Sequence, residues 1–231
     1  MTEEKEKYKL IIKKAGFKSA TQFQEKVIPL ALDNRYIIAE TEKGCGRSLG
    51  IALPVILQTD FSYSGLKSLI IVSSAENAIK LNNLFKKLYT KKLTSLQAAA
   101  ANPERNLKKD LRLLDRQPDI FIGTPDSIID HIRSDNIALE GIQSCVIEDR
   151  EIEDVTGFEK DMEFILSKLD GKQQFMVFTD RIGYNYSFYR LFKKPAIFRL
   201  QDEETRMNNL DQVQGWQIKK LLSEMKESGE L

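Results

Sequence analysis

The most informative segment of this chain is TEKGCGRS, which runs from Thr41 to Ser48. It follows the apolar run YIIAE (residues 36–40), which predicts a buried strand, and it precedes LGIALPVIL (residues 49–57), which can form a helix. Glycines in such a turn let the backbone approach a ligand closely, and backbone N–H groups at a helix N-terminus attract anions. The stretch therefore predicts a strand–turn–helix unit whose turn has the composition of an anion site.

Gly44, Gly46 and Ser48 fit the pattern of a phosphate-binding loop, but Arg47 stands where that loop has a lysine. In a working loop the lysine reaches the outer phosphates, and the Ser/Thr hydroxyl binds Mg²⁺. Arginine keeps the positive charge, but its planar guanidinium is larger than a compact ammonium. Glycine turns also mark many ordinary loops. The stretch alone therefore leaves three interpretations open: a working nucleotide site, a worn-out one or a coincidence.

The composition excludes several classes of protein. The 231 residues are 42% hydrophobic and 30% charged, which suffices for one large domain or two small ones. The net charge of +1 provides no global basic field, so any contact with nucleic acid must be a local patch. Cys45 and Cys145 have no metal-ligand spacing and are expected to be reduced thiols. With short apolar runs and a polar N-terminus, we expect a soluble, cytoplasmic protein without a membrane span.

Short apolar runs alternate with amphipathic stretches along the chain. The runs predicted to be strands are Tyr36–Glu40, Ser68–Ser73, Thr94–Ala98, Asp119–Gly123, Ser144–Ile147, Gln174–Thr179 and Ala196–Leu200. Several are continuously apolar, as expected of strands that are buried on both faces. Helical spacing of apolar residues predicts helices over 75–89 and 158–169. The alternation predicts an α/β fold, in which helices cover both faces of a parallel sheet.

The segment from residue 202 to 231 differs from the rest, because it is mostly polar and carries only a weak apolar stripe. We expect a charged C-terminal helix docked on the domain, or a frayed tail. A helix that binds a protein partner is the alternative. The predicted organisation is one domain over residues 1–201, followed by this tail.

Around the glycine turn, the chain resembles a known family. GFKSATQFQEKVIPLAL (residues 16–32) resembles the Q motif of DEAD-box RNA helicases. Further family motifs follow in order: TEKGCGRSLGIALP at motif I, SSAENA at Ia, PDIFIGTPDSIIDHI at Ib, VIEDREIEDVTGF at II and MVFTDR at III. The resemblance covers about residues 8–201 and implies a RecA-like P-loop NTPase domain, the first of that family's two RecA-like domains.

The resemblance implies ATP or ADP and Mg²⁺ as ligands. The positions that would bind the nucleotide are Phe17, Thr21, Gln24, Gly44, Cys45, Gly46, Arg47 and Ser48. Gln24 would read the adenine edge, supported by Thr21 and Phe17. The alternative is that Gln24 is an ordinary polar helix residue and Phe17 a core anchor.

Motif II departs from the family pattern, which has an aspartate for Mg²⁺ and then a glutamate that orients the attacking water. Here the order is Glu148 and then Asp149. Glu148 is still the candidate metal ligand beside Ser48. Asp149, the candidate base, would be a poor one, because a misplacement of about 1 Å costs on the order of a hundredfold in rate. The alternative is that this acidic pair is a solvated strand end.

The motif that couples hydrolysis to RNA is also altered. Motif III reads Thr179-Asp180-Arg181 where the family has Ser-Ala-Thr. In the family, motifs II and III are joined by hydrogen bonds. An ion pair between Glu151 and Arg181, or between Arg150 and Asp180, could replace that bond and hold the loops together.

The contacts with RNA are predicted to be weak. Thr124 and Pro125 of motif Ib are present. The positions where motifs Ia and Ib carry arginine and Gly-Arg are here Ala75, Asp126 and Ser127. These changes remove attraction for phosphate and add repulsion.

Three functions are therefore open. We expect a helicase-like ATP-binding domain that is impaired in hydrolysis and unwinding, because motifs I, Ia, Ib, II and III all depart from the family. The first alternative is a competent ATP-dependent RNA helicase domain that needs a second RecA-like domain. The second is an interaction scaffold that binds no nucleotide.

Overall fold

The structure is a computed structural model that describes residues 8–13, 18–60, 62, 64–88, 95–97, 111, 114–115, 117–149, 155–180 and 186–198, with only the backbone described at 95–97 and 155. The predicted tail lies outside these residues. So do Phe17, Arg150, Glu151 and Arg181 of the predicted site. Within this part of the chain, no helix combines the length and the hydropathy that crossing a membrane would require.

One parallel sheet organises the domain. Its strands are β1 (Ile37–Glu40), β2 (Ser68–Val72), β3 (Ser95–Gln97), β4 (Ile120–Gly123), β5 (Ser144–Glu148), β6 (Gln174–Thr179) and β7 (Ala196–Phe198). They lie side by side in the order β3-β4-β2-β5-β6-β1-β7, and all neighbouring strands run parallel. All seven predicted strands are confirmed, with small shifts where their ends are described.

Five α-helices with defined bounds connect or flank these strands, and the described residues 8–13 are also helical. They are α1 (Gln22–Leu32), α2 (Arg47–Gln58), α3 (Ala75–Leu88), α4 (Pro125–Arg133) and α5 (Val155–Ser167), and a 3₁₀ helix spans Ser187–Leu191. The predicted helix over 75–89 is confirmed as α3. The helix predicted over 158–169 is α5, which starts and ends earlier. At its C-terminal end, the N–H groups of Lys168 and Leu169 donate to the carbonyls of Ile165 and Leu166, three residues earlier. The last turn is therefore tighter than an α-helix.

Each face of the sheet has its own apolar core. Helices α4 and α5 and the 3₁₀ helix cover one face, where Ile128, Met162 and Phe188 are buried. Helices α1, α2 and α3 cover the other face, where Val27 and Phe85 are fully buried. Helices on both faces of a parallel sheet confirm the predicted α/β fold class.

The two edges of the sheet have different chemistry. At the edge where the strands begin, the Lys67 side chain is fully buried, and its Nζ lies 2.6 Å from Asp119 Oδ1. At the opposite edge, the carboxyl ends of β1, β5 and β6 lie next to each other. Ligands of open α/β sheets bind beyond the carboxyl ends of the strands. The predicted nucleotide residues lie at that edge.

Candidate nucleotide site

The loop that joins β1 to α2 has the backbone of an anion-binding turn. Gly44 and Gly46 have φ values of +89° and +90°, which side chains other than glycine rarely adopt. Gly46 is the N-cap of α2, so Arg47 is the first helical residue. Ser48 follows and is exposed. The N-terminus of α2 therefore lies at the carboxyl edge of the sheet, and helix N-termini attract anions.

The Q-motif residues brace this loop. Thr21 caps α1 in a capping box, where its hydroxyl accepts from the Gln24 N–H at 3.2 Å and Gln24 Oε1 accepts from the Thr21 N–H at 2.9 Å. The same two side chains reach across to the loop. Thr21 Oγ1 donates to the Cys45 carbonyl at 2.7 Å, and Gln24 Nε2 donates to the Gly46 carbonyl at 2.9 Å. Gln24 is therefore buried by a tertiary contact and is not an ordinary surface residue of a helix.

Besides its positive φ, close packing against the Q motif also favours glycine at position 46. A Cβ atom at this position would lie 2.3 Å from Gln24 Nε2 and 3.0 Å from Thr21 Oγ1. Backbone conformation and contact with the Q motif thus impose the same requirement. By contrast, nothing lies within 4 Å of a Cβ at Gly44, where the conformation alone favours glycine.

Arg47 forms a buried ion pair with Glu148. Its Nη2 lies 2.7 Å from Glu148 Oε1, and the two side chains are only 11% and 6% exposed. Arg47 Nη1 donates to Thr41 Oγ1 at 3.3 Å, and the Thr41 hydroxyl donates to the Thr179 carbonyl at 3.0 Å. The network joins the ends of β1, β5 and β6. Thr41 was not among the predicted site residues, although it begins the glycine-rich stretch.

Asp149 lies on the opposite side of the sheet edge from Glu148, because successive side chains along a strand alternate between faces. It is 3% exposed, and neither of its carboxyl oxygens has a hydrogen bond of good geometry within the described residues. Burial raises the pKa of Asp149 to about 8, an effect that the nearby Thr179 and Tyr186 hydroxyls only partly offset. The carboxyl group is therefore mostly protonated at neutral pH.

Aromatic residues surround Asp149. Tyr186 and Tyr189 pack edge to face with their ring centroids 5.4 Å apart, and burial together with the Asp149 charge raises the pKa of Tyr189. These aromatic neighbours of Asp149 were not predicted, although the run YNYSFY (residues 184–189) is rich in aromatic residues. The interpretation of Glu148 and Asp149 as a solvated strand end is wrong, since both residues are at least 96% buried in this edge.

Other predicted residues occupy the same edge of the sheet. Thr124 is the N-cap of α4 and Pro125 follows it in the first turn, directly after β4. Asp126 is exposed, whereas Ser127 is 6% exposed and packs inside. The Cys45 thiol has a pKa raised by burial, in spite of the Arg47 charge beside it, so this loop does not activate it as a nucleophile.

The donor set does not fit the Mg²⁺ that the resemblance implies. The Glu148 carboxylate is already neutralised by Arg47, and Asp149 is buried on the other face. Ser48 is exposed at the start of α2 but contributes no charge. Within the described ranges, no group of three or more His, Cys, Asp or Glu side chains could hold a metal ion. Mg²⁺ at a phosphate site is held by one or two carboxylates together with waters and substrate phosphates, and here the candidate carboxylate Glu148 is already paired with Arg47.

Comparison with known proteins places this architecture in a defined class, that of DEAD-box RecA-like domains. A structure of a DEAD box protein from the hyperthermophile Methanococcus jannaschii superimposes with a TM-score of 0.74 at 23% identity, over 83% of this chain and 53% of that one. The ADP-bound Dbp5 of Saccharomyces cerevisiae gives 0.69 at 17% identity, over 87% and 52%. At these identities the likeness shows the fold alone.

Sequence comparison identifies the family. The DEAD/DEAH box helicase model matches residues 21–179, so the chain belongs to this family. It is 28% identical over 201 residues to the ATP-dependent RNA helicase CshA of Listeria monocytogenes, and 26% identical over 204 residues to the DEAD-box ATP-dependent RNA helicase CshA of Geobacillus kaustophilus. These alignments cover 84% and 87% of this chain, which spans only 37% and 43% of those two relatives.

Proposed function

We propose that this chain is an adenine-nucleotide-binding domain of the DEAD-box type in which ATP hydrolysis and RNA unwinding are impaired. The observation that carries the proposal is the contact of the Q motif with the phosphate loop. Gln24 Nε2 donates to the Gly46 carbonyl, and Thr21 Oγ1 donates to the Cys45 carbonyl. Adenine recognition and phosphate binding are thus held in one rigid unit.

Gln24 retains hydrogen-bonding capacity for a base. A primary amide has two N–H donors and an oxygen with two lone pairs. The contacts with Thr21 and Gly46 use one of each. One donor and one acceptor are left, which is the pair that an amide needs to bind N7 and the N6 amino group of adenine.

Impaired hydrolysis follows from the state of the two motif II carboxyls. A catalytic base must be ionised and within hydrogen-bond reach of the water that it activates. Asp149 is 3% exposed, so a water molecule has little access to its carboxyl group, and Glu148 is bound to Arg47. Neither side chain meets both conditions.

Weak RNA binding follows from the start of α4. Thr124 and Pro125 place a helix N-terminus at the carboxyl edge, which would favour a phosphate. The exposed Asp126 carboxylate in the first turn repels phosphate, and the buried Ser127 offers no cation. Binding of a protein partner through residues 202–231 is a separate proposal.

Calorimetric titration of ADP and ATP tests nucleotide binding. We expect micromolar affinity for the wild type and a loss of at least about tenfold for Gln24→Ala, equivalent to about 1.4 kcal/mol. Gln24→Glu keeps the oxygen that accepts from Thr21 and removes the donating nitrogen, so it should also weaken binding. Gln22→Ala is the matched control, because Gln22 is exposed on the same helix. No saturable binding by the wild type at millimolar nucleotide would leave the scaffold alternative.

Measurement of phosphate release from ATP, with and without RNA, tests whether hydrolysis is impaired. We expect turnover close to background that RNA does not stimulate. Strong RNA-stimulated hydrolysis by this chain would refute the impairment and support the competent helicase. Addition of a second RecA-like domain from a CshA relative should not restore activity, because the departures described above lie within this chain.

A further inference from the structure

We infer that this site binds its nucleotide without magnesium, and that the Arg47 guanidinium supplies the charge that a metal ion would otherwise bring to the phosphates. The inference rests on the proposed nucleotide binding. Its basis is the geometry of the Arg47–Glu148 ion pair at the N-terminus of α2.

The charge of the candidate metal ligand is already compensated. The Glu148 carboxylate lies 2.7 Å from the Arg47 guanidinium, and the pair as a whole is neutral. A divalent cation gains little from a neutral set of side chains. Phosphate oxygens would instead be attracted by the N-terminus of α2, and the Arg47 guanidinium has five N–H donors to share between Glu148, Thr41 and a phosphate.

Arg47 competes with a metal ion for the Glu148 carboxylate. A metal ion could use the Glu148 carboxylate only by displacing a guanidinium held at 2.7 Å from Oε1. The pair is nearly buried, and breaking a buried pair leaves an uncompensated charge away from water. The ion pair therefore keeps Glu148 from acting as a metal ligand.

The geometry of Arg47 also suits a phosphate ligand. Its side chain is anchored to Thr41 Oγ1 and to Glu148 Oε1, so the guanidinium plane is fixed before a ligand arrives. A fixed planar fork suits phosphate oxygens, which guanidinium groups bind in pairs of hydrogen bonds. Arg47 is the residue directly after the N-cap Gly46, so its backbone lies at the helix N-terminus, where an anion would bind.

The test compares ADP affinity by calorimetry in excess magnesium and in EDTA. For the wild type we expect dissociation constants that agree within about twofold. The double variant Arg47→Lys and Glu148→Asp restores the family's residue types at these two positions. We expect its affinity to become at least about tenfold tighter in magnesium than in EDTA. Arg47→Ala, which removes the guanidinium, should abolish binding in EDTA.

Each result has one meaning. Wild-type binding that tightens about tenfold or more with magnesium overturns the inference and leaves nucleotide binding intact. EDTA-resistant binding that survives in Arg47→Ala also overturns it, because the guanidinium would then not be the compensating charge. Absence of binding in both buffers refutes the proposed function, and the inference with it. An independent readout is Mn²⁺ electron paramagnetic resonance, in which wild type with ADP should immobilise no more Mn²⁺ than ADP alone.

Discussion

Replacing Asp149 with asparagine should reveal how strongly this fold disfavours the ionised carboxylate. Burial raises the pKa of Asp149 from 3.8 to about 8. Between these values the unfolded chain loses the proton and the folded chain keeps it, so the folded state binds more protons. The stability that this group contributes is therefore fully present below its pKa of 3.8 in the unfolded chain, and it is lost as the pH rises towards the folded-state pKa of about 8.

The magnitude follows from linkage. With one proton difference between the two states, the free energy of unfolding falls by about 1.4 kcal/mol per pH unit. From about pH 5 to about pH 7 the wild type should therefore lose about 2–3 kcal/mol that the Asp149→Asn variant does not lose. The loss is large beside a typical domain stability of about 5–15 kcal/mol.

Urea denaturation followed by circular dichroism at several pH values measures this difference. The free energies of unfolding of wild type and Asp149→Asn should diverge as the pH rises from about 5 to about 7, with the variant more stable at the upper end. Asp130→Asn removes an exposed carboxyl from α4 and is the control for a change of one surface charge. Parallel curves for wild type and Asp149→Asn would refute the assignment of a buried, neutral carboxyl.

Two further substitutions test the packing that supports the site. Gly46→Ala should lower stability by about 1–3 kcal/mol and weaken ADP binding, because the new Cβ meets Gln24 Nε2 in a left-handed conformation; unchanged urea midpoint and affinity would contradict the loop geometry. Lys67→Met should cost about 3 kcal/mol in urea denaturation, since it leaves the Asp119 charge without its buried partner. Lys80→Met, in an exposed pair, is the control and should have no measurable effect.

The sheet could be predicted from the sequence because its strands are buried on both faces. Continuous apolar runs such as Ser68–Val72 carry a local signal that needs no knowledge of neighbours. The spacing of apolar residues that predicts α3 is also a local signal. The end of α5 was misplaced because the apolar residue Leu169 continues the helical spacing, while the backbone has already tightened into i to i+3 hydrogen bonds.

The site was less predictable, because its contacts join segments that are distant in sequence. The motif order gave the positions of Arg47 and Glu148, but their ion pair depends on β5, β6 and β1 lying side by side. Periodicity does not reveal strand order. The burial of Asp149 was missed for a related reason: the run EDREIED (residues 148–154) is highly charged, and only the tertiary structure shows that Asp149 is 3% exposed.

The two departures at Arg47 and Glu148 are best understood as one structural unit. Each residue has a longer side chain, or a larger charged group, than the family residue it replaces, and together they span the gap between α2 and β5 at 2.7 Å. Thr41 ties the same guanidinium to β6 through the Thr179 carbonyl. Loss of catalysis alone would not explain why the two buried side chains carry opposite charges and form an ion pair. The matched pair holds this edge of the sheet together, and we propose that it takes the place of the metal ion that the resemblance implies.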